Sequence, residues 1–196
     1  ATLAKLASHA GDVTVTAKDN ATLNGAVSAN GVEVTAAEGD VVVNGAVEGS
    51  TVAIEATAGN VKATSDIAAT VTDVKIKAGR DAELAKLTAN GLGVVDVVAK
   101  NNATLNGEAS ATMVSVKAQE GDVVANEAIT ATHTLELRAG RDATVNGPLE
   151  ASVAIVEAKN NALIDGAVSA NAVAITATEG DLVVKGAVAA NDGSGK

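Results

Sequence analysis

Apolar residues fall on alternate positions in short bursts along the whole chain. Within residues 21–36 the order is Ala21-Thr22-Leu23, then Asn24-Gly25, then Ala26-Val27-Ser28-Ala29, then Asn30-Gly31, then Val32-Glu33-Val34-Thr35-Ala36. A period of two sends successive side chains to opposite faces, which predicts strands and not helices. Stretches such as Val13-Thr14-Val15-Thr16 and Val41-Val42-Val43 are β-rich in type as well. The Asn-Gly steps between bursts predict corners, because Asn and Gly tolerate the left-handed backbone that such turns use.

The three bursts then recur. Units start at Lys18, Glu38, Ala58, Gly79, Lys100, Glu120, Gly140, Lys159 and Glu179, with spacings of 19 to 21 residues. Residues 1–17 read as a partial coil and 191–196 as a flexible tail or truncated coil. The rest forms one continuous array. Like residues fall in columns across the units. One column runs Leu23, Val43, Ala63, Leu105, Ala125, Val145, Ile164 and Val184. Another runs Val27, Val47, Ile67, Ile129, Leu149, Val168 and Val188.

A unit of about 20 residues cannot bury its own apolar side and has to stack on its neighbours. The predicted fold is all-β: a single-stranded parallel β-helix with three short strands per coil and about ten coils. At ~4.8 Å per coil the rod is roughly 45–50 Å long. Unit length varies by only a residue, which leaves no room for long inserted loops.

Composition narrows the picture further. The chain has 196 residues, 47% of them hydrophobic, yet no Phe, Trp or Tyr. A core of Val, Leu, Ile and Ala alone suits one narrow cross-section packed repeatedly. The net charge of −10 argues against nucleic acid and anionic membrane, which call for clustered Lys and Arg. There are no aromatic platforms for bases either. No apolar run approaches the ~20 residues of a membrane helix, so no membrane insertion is expected. With no Cys there is no disulfide framework or thiolate site.

Candidate functional residues are few. Asn24, Asn44, Asn106, Asn126 and Asn146 recur at one corner, with Asp165 in the same place. They read as a structural ladder, each amide bonding the next coil. Lys18 and Glu38, Lys100 and Glu120, and Lys159 and Glu179 stand one coil apart. They read as inter-coil ion pairs worth about 0.2–1 kcal/mol each; Lys75 and Asp96 are a further candidate pair. A calcium site needs several oxygens converging on one point, whereas the Glu-Gly-Asp triplets sit on non-adjacent coils. His9 and His133 lie about six coils apart, too far to share a metal. No nucleophile elbow occurs, and the outward row Glu33, Ala53, Lys75, Asp96, Ser115, Glu136 alternates in charge. No catalytic residue, cofactor or metal is expected, and the chain is read as a non-enzyme.

The segments "AEGDVVVNGAV" (37–47), "AGRDAELAKLTANG" (78–91) and "AGRDATVNG" (139–147) resemble the haemagglutinin-type repeats of filamentous haemagglutinin, a family of two-partner-secreted bacterial exoproteins. The resemblance implies a right-handed shaft, exported to the extracellular space or the bacterial cell surface. It implies a stiff spacer that presents adhesive or toxic modules carried elsewhere. The family's secretion domain and Asn-Pro-x-Gly motif are not in these residues. The alternative expectation is a binding module whose faces or ends meet a host-cell receptor, a glycan or another copy, end to end or side by side.

Overall fold

Each strand finds its partner in the same strand of the next unit. The computed structural model describes residues 1–8 and 10–190. His9 and the tail or truncated coil expected at 191–196 lie outside them. The described chain contains strands and no helix. It is a β-solenoid of about nine turns, with parallel pairing throughout. The first strands of successive rungs build a ten-stranded sheet, and the second and third strands build a fifteen-stranded one. Leu23 pairs with Val43, Val27 with Val47 and Val34 with Ile54.

The columns read from the sequence are the core. Leu23, Val43, Leu84, Leu105, Val145 and Ile164 are fully buried in one row, and Val47, Ile67, Leu87, Ile129 and Leu149 in another. Among the described residues no polar or charged side chain is buried. The outer row Glu33, Ala53, Lys75, Asp96, Ser115, Glu136 also stacks in register.

The corners differ from expectation. Among the described residues no non-glycine has a positive φ, and only Gly91, at 66°, does so among the glycines. Apart from Asn90-Gly91, the Asn-Gly corners are therefore not left-handed turns. A hairpin must reverse the chain, whereas a solenoid corner only deflects it toward the next strand of the same coil. In four rungs the second and third strands run on through the corner as one: Val27–Ala36, Val47–Ala56, Ala109–Ala118 and Ile129–Ala139. Glycine at the first corner serves close approach instead. A Cβ on Gly45 would lie 2.2 Å from the carbonyl carbon of Gly25 on the rung before.

The corner between the third strand and the next first strand has two lengths, and the core follows them. Every third strand ends on alanine, from Ala17 through Ala36, Ala56, Ala78, Ala99, Ala118, Ala139 and Ala158 to Ala177. Three residues then lead to Ala21, Ala82, Ala103, Ala143 and Ala162; four lead to Val41, Val61, Val123 and Leu182. A longer corner swings wider and leaves room for a larger inward side chain. Each longer corner carries a glycine before its last residue: Gly39, Gly59, Gly121 and Gly180. A Cβ on Gly121 would lie 2.5 Å from Asn102 Oδ1 of the rung below.

Near-constant unit length conceals one irregular corner. Two residues usually separate the inward alanine of the second strand from the third strand, as Thr112 and Met113 do between Ala111 and Val114. Between Ala69 and Val74 there are four residues, and between Ala89 and Val95 there are five. The second insertion is partly offset by a first corner of two residues, Ala85-Lys86. Insertions therefore do exist at this corner: two and three residues on these adjacent rungs, and one more between Ala131 and Leu135, where the register shifts.

Candidate functional site

Two polar ladders flank the ten-stranded sheet. The first is the one read from the sequence. Asn44 Nδ2 donates to Asn24 Oδ1, Asn126 Nδ2 to Asn106 Oδ1, and Asn146 Nδ2 to Asn126 Oδ1, each at 2.9 Å. Where the amide is replaced, the partner changes. Thr64 Oγ1 donates to Asn44 Oδ1 at 3.4 Å, and Lys185 Nζ lies 3.0 Å from Asp165 Oδ1.

The second ladder was not read from the sequence. It runs through Asn20, Asp40, Asn60, Asp81, Asn102, Asp122, Asp142, Asn161 and Asp181, the third residue of every unit. Each side-chain oxygen accepts the backbone N–H of its successor. Asp40 N–H reaches Asn20 Oδ1 at 2.8 Å, Asn60 N–H reaches Asp40 Oδ1 at 2.7 Å, and Asp122 N–H reaches Asn102 Oδ1 at 2.9 Å. Asp81, Asn102, Asp142, Asn161 and Asp181 extend the same pattern. The signal was present: position three is always Asn or Asp. A corner N–H that no strand can satisfy needs an acceptor, and either residue supplies one.

Two of the three expected ion pairs form, loosely, and the third does not. Lys18–Glu38 and Lys159–Glu179 approach only to 3.8 and 3.9 Å and are well exposed. Lys100 and Glu120 share a backbone bond, Glu120 N–H to Lys100 O at 2.8 Å, and no side-chain contact. Lys75 turns to Asp73 at 3.2 Å, although its register neighbour is Asp96. A solvated pair gains too little to hold two long side chains in one geometry.

The closer contacts lie elsewhere. Lys62 meets Glu83 at 2.9 Å, Lys77 meets Glu55 at 2.8 Å and Lys86 meets Glu108 at 2.9 Å. Arg138 bridges Glu136 and Glu157. Arg141 grips Asp122 with two bonds, Nε to Oδ1 at 3.0 Å and an Nη to Oδ2 at 2.7 Å. The Arg141 guanidinium, helped by the Asp142 N–H, holds the Asp122 carboxyl below the usual range against the opposing effect of burial. Asp122 in turn raises Arg141, and bonding to Glu136 raises Arg138. Bonding to Glu108 raises Lys86.

The irregular corner exposes apolar side chains on three successive rungs. Leu92 is 87% exposed, Val71 57% and Met113 43%. Gly91 and Gly93 pack beside the Val71 and Thr72 carbonyls, so the two inserted loops lie against each other. Among the described residues no three His, Asp or Glu side chains are placed to hold a metal ion.

Comparison of the chain with protein-family models, curated proteins and solved structures returns no match.

Proposed function

We propose that the chain is a stiff spacer, a shaft segment of a secreted or surface-displayed bacterial adhesin or filament related to filamentous haemagglutinin. The observation that carries this reading is the unbroken stacking. Nine third-strand alanines, the aliphatic columns and the Asn/Asp ladder each continue rung after rung. The two ladders bond corner side chains and corner N–H groups from rung to rung, so the architecture resists bending and shear without needing a ligand. On this reading the protein is not an enzyme. Single-molecule extension along the rod tests it: a force plateau with rung-by-rung lengthening is expected, and extension without a force-bearing phase overturns it. Fractionation of the source bacterium tests the location, and recovery of the native product from the cytosol would overturn the exported reading.

A second reading has one observation in its favour. The exposed ridge of Val71, Leu92 and Met113 is the kind of apolar feature that marks contact surfaces. In that case the rod itself meets a receptor, a glycan or another copy. Sedimentation across concentrations and a glycan array separate the versions; a monomer that binds no glycan leaves the spacer alone.

A further inference from the structure

We infer that Asn90 is a site of spontaneous succinimide formation and deamidation, set apart by the fold from five other Asn-Gly sequences in the chain. These are at Asn24, Asn30, Asn44, Asn106 and Asn146, each followed by glycine like Asn90. Sequence alone gives all six the same intrinsic reactivity, because glycine leaves the attacking nitrogen unhindered. Exposure does not separate them either, since all six are exposed.

Hydrogen bonding does separate them. Asn24 and Asn106 accept from the next rung, Asn44 both donates and accepts, and Asn146 donates to Asn126. Asn30 accepts from Ser50 Oγ at 3.0 Å, and its following N–H, on Gly31, is held by Asp12 Oδ1 at 2.8 Å. The Asn90 side chain makes no hydrogen bond among the described residues, and neither does the Gly91 N–H. The pair also opens the longest inserted loop, and Gly91 carries the only positive φ among the described residues. Asn90 is tethered by its own backbone, N–H to Ala69 O at 2.9 Å and C=O to Gly93 N–H at 3.1 Å. Its side chain is free to swing toward the next peptide.

The chemistry needs only water and base. The Gly91 nitrogen loses its proton to solvent base and attacks Asn90 Cγ. The Cγ–Nδ2 bond breaks, Nδ2 takes up a proton and leaves as ammonia, and a succinimide ring closes. Water opens the ring at either carbonyl, giving aspartate or isoaspartate. Nothing is oxidised or reduced. The product places a carboxylate beside the Leu92 ridge, and the isoaspartate form adds a methylene to the backbone of the loop.

Timed peptide mapping of the full chain at mildly alkaline pH, with isoaspartate detected by methyl transfer, tests the site. In the native chain Asn90 is expected to convert about fivefold faster than the ladder asparagines, the factor that one hydrogen bond of constraint supplies. In denaturant the six are expected to converge. Equal native rates, or a slower Asn90, would overturn the inference. The substitution Asn126→Ala removes the partner of Asn146 and one of the two partners of Asn106, whose Nδ2 also donates to Glu83 Oε1 at 3.4 Å. Conversion at those two is expected to rise in a variant that still shows the strand spectrum; no rise would overturn the protective role of the ladder.

Discussion

Asp122 holds Arg141 by two charge-assisted bonds and, with the same Oδ1, accepts the backbone N–H of Asp142, the residue after Arg141. One carboxylate thus fixes both a side chain and the corner backbone of the next rung. Removing it with Asp122→Ala leaves the Asp142 N–H without its acceptor and Arg141 without its partner. The expected cost is about 1–2 kcal/mol, read as a lower denaturant midpoint at unchanged slope.

The same carboxyl gives a pH signature. Its folded value is lowered, so its stabilisation is fully present above the unfolded value of about 3.9. It is lost as pH falls through the lower folded value. Asp122→Asn keeps an oxygen for the Asp142 N–H but discards the charge. The stability gap between the native chain and Asp122→Asn is expected to shrink below about pH 4; a gap that does not change with pH would remove the ionic contribution.

Corner length and core size should compensate. Ala103 follows a three-residue corner, and Val123 on the next rung follows a four-residue one. Ala103→Val alone overpacks a fully buried position and is expected to cost about 1–3 kcal/mol. Extending the corner to read like 119–122, with its glycine, is expected to recover most of that loss. Thermal unfolding of the single and combined variants decides the matter.

Coupling should be short-ranged along the rod. Leu137→Ala empties a fully buried position and is expected to cost about 2–5 kcal/mol. Val116→Ala, its register partner, is expected to be non-additive with it, while Leu23→Ala, several rungs away, is expected to add. Double-mutant cycles by denaturant titration measure both.

Exposed charges should divide by geometry. Lys100→Ala touches no carboxylate and is expected to stay within about 0.5 kcal/mol of the native chain. Arg138→Ala releases Glu136 and Glu157 and is expected to cost up to about 1 kcal/mol, diminishing in high salt.

The fold was legible because one pattern is written many times over, so that accidental alternation at any one place cannot mislead. The amide ladder from Asn24 was legible because Asn recurs before Gly. The ladder from Asn20 to Asp181 escaped notice because two residue types share it and its partner is a backbone N–H, which sequence does not display. The corner at Val71 and Leu92 escaped because an insertion there is partly cancelled by a shorter corner at Ala85-Lys86, and a constant period hides offsetting changes. Of the expected ion pairs, Lys18–Glu38 and Lys159–Glu179 form as loose, exposed contacts and Lys100–Glu120 does not form. Two charges one rung apart are neighbours in register, yet long side chains in water settle on whichever partner is nearest, as Lys75 does with Asp73.

The row of nine alanines that closes the third strands has a bearing on how such a chain could change over time. A methyl group is the whole of the allowance at that edge, and its neighbours above and below are methyl groups too. Each rung is thus cast in the mould of the one before it. The array can lengthen by copying whole rungs far more readily than it can widen by altering any single one.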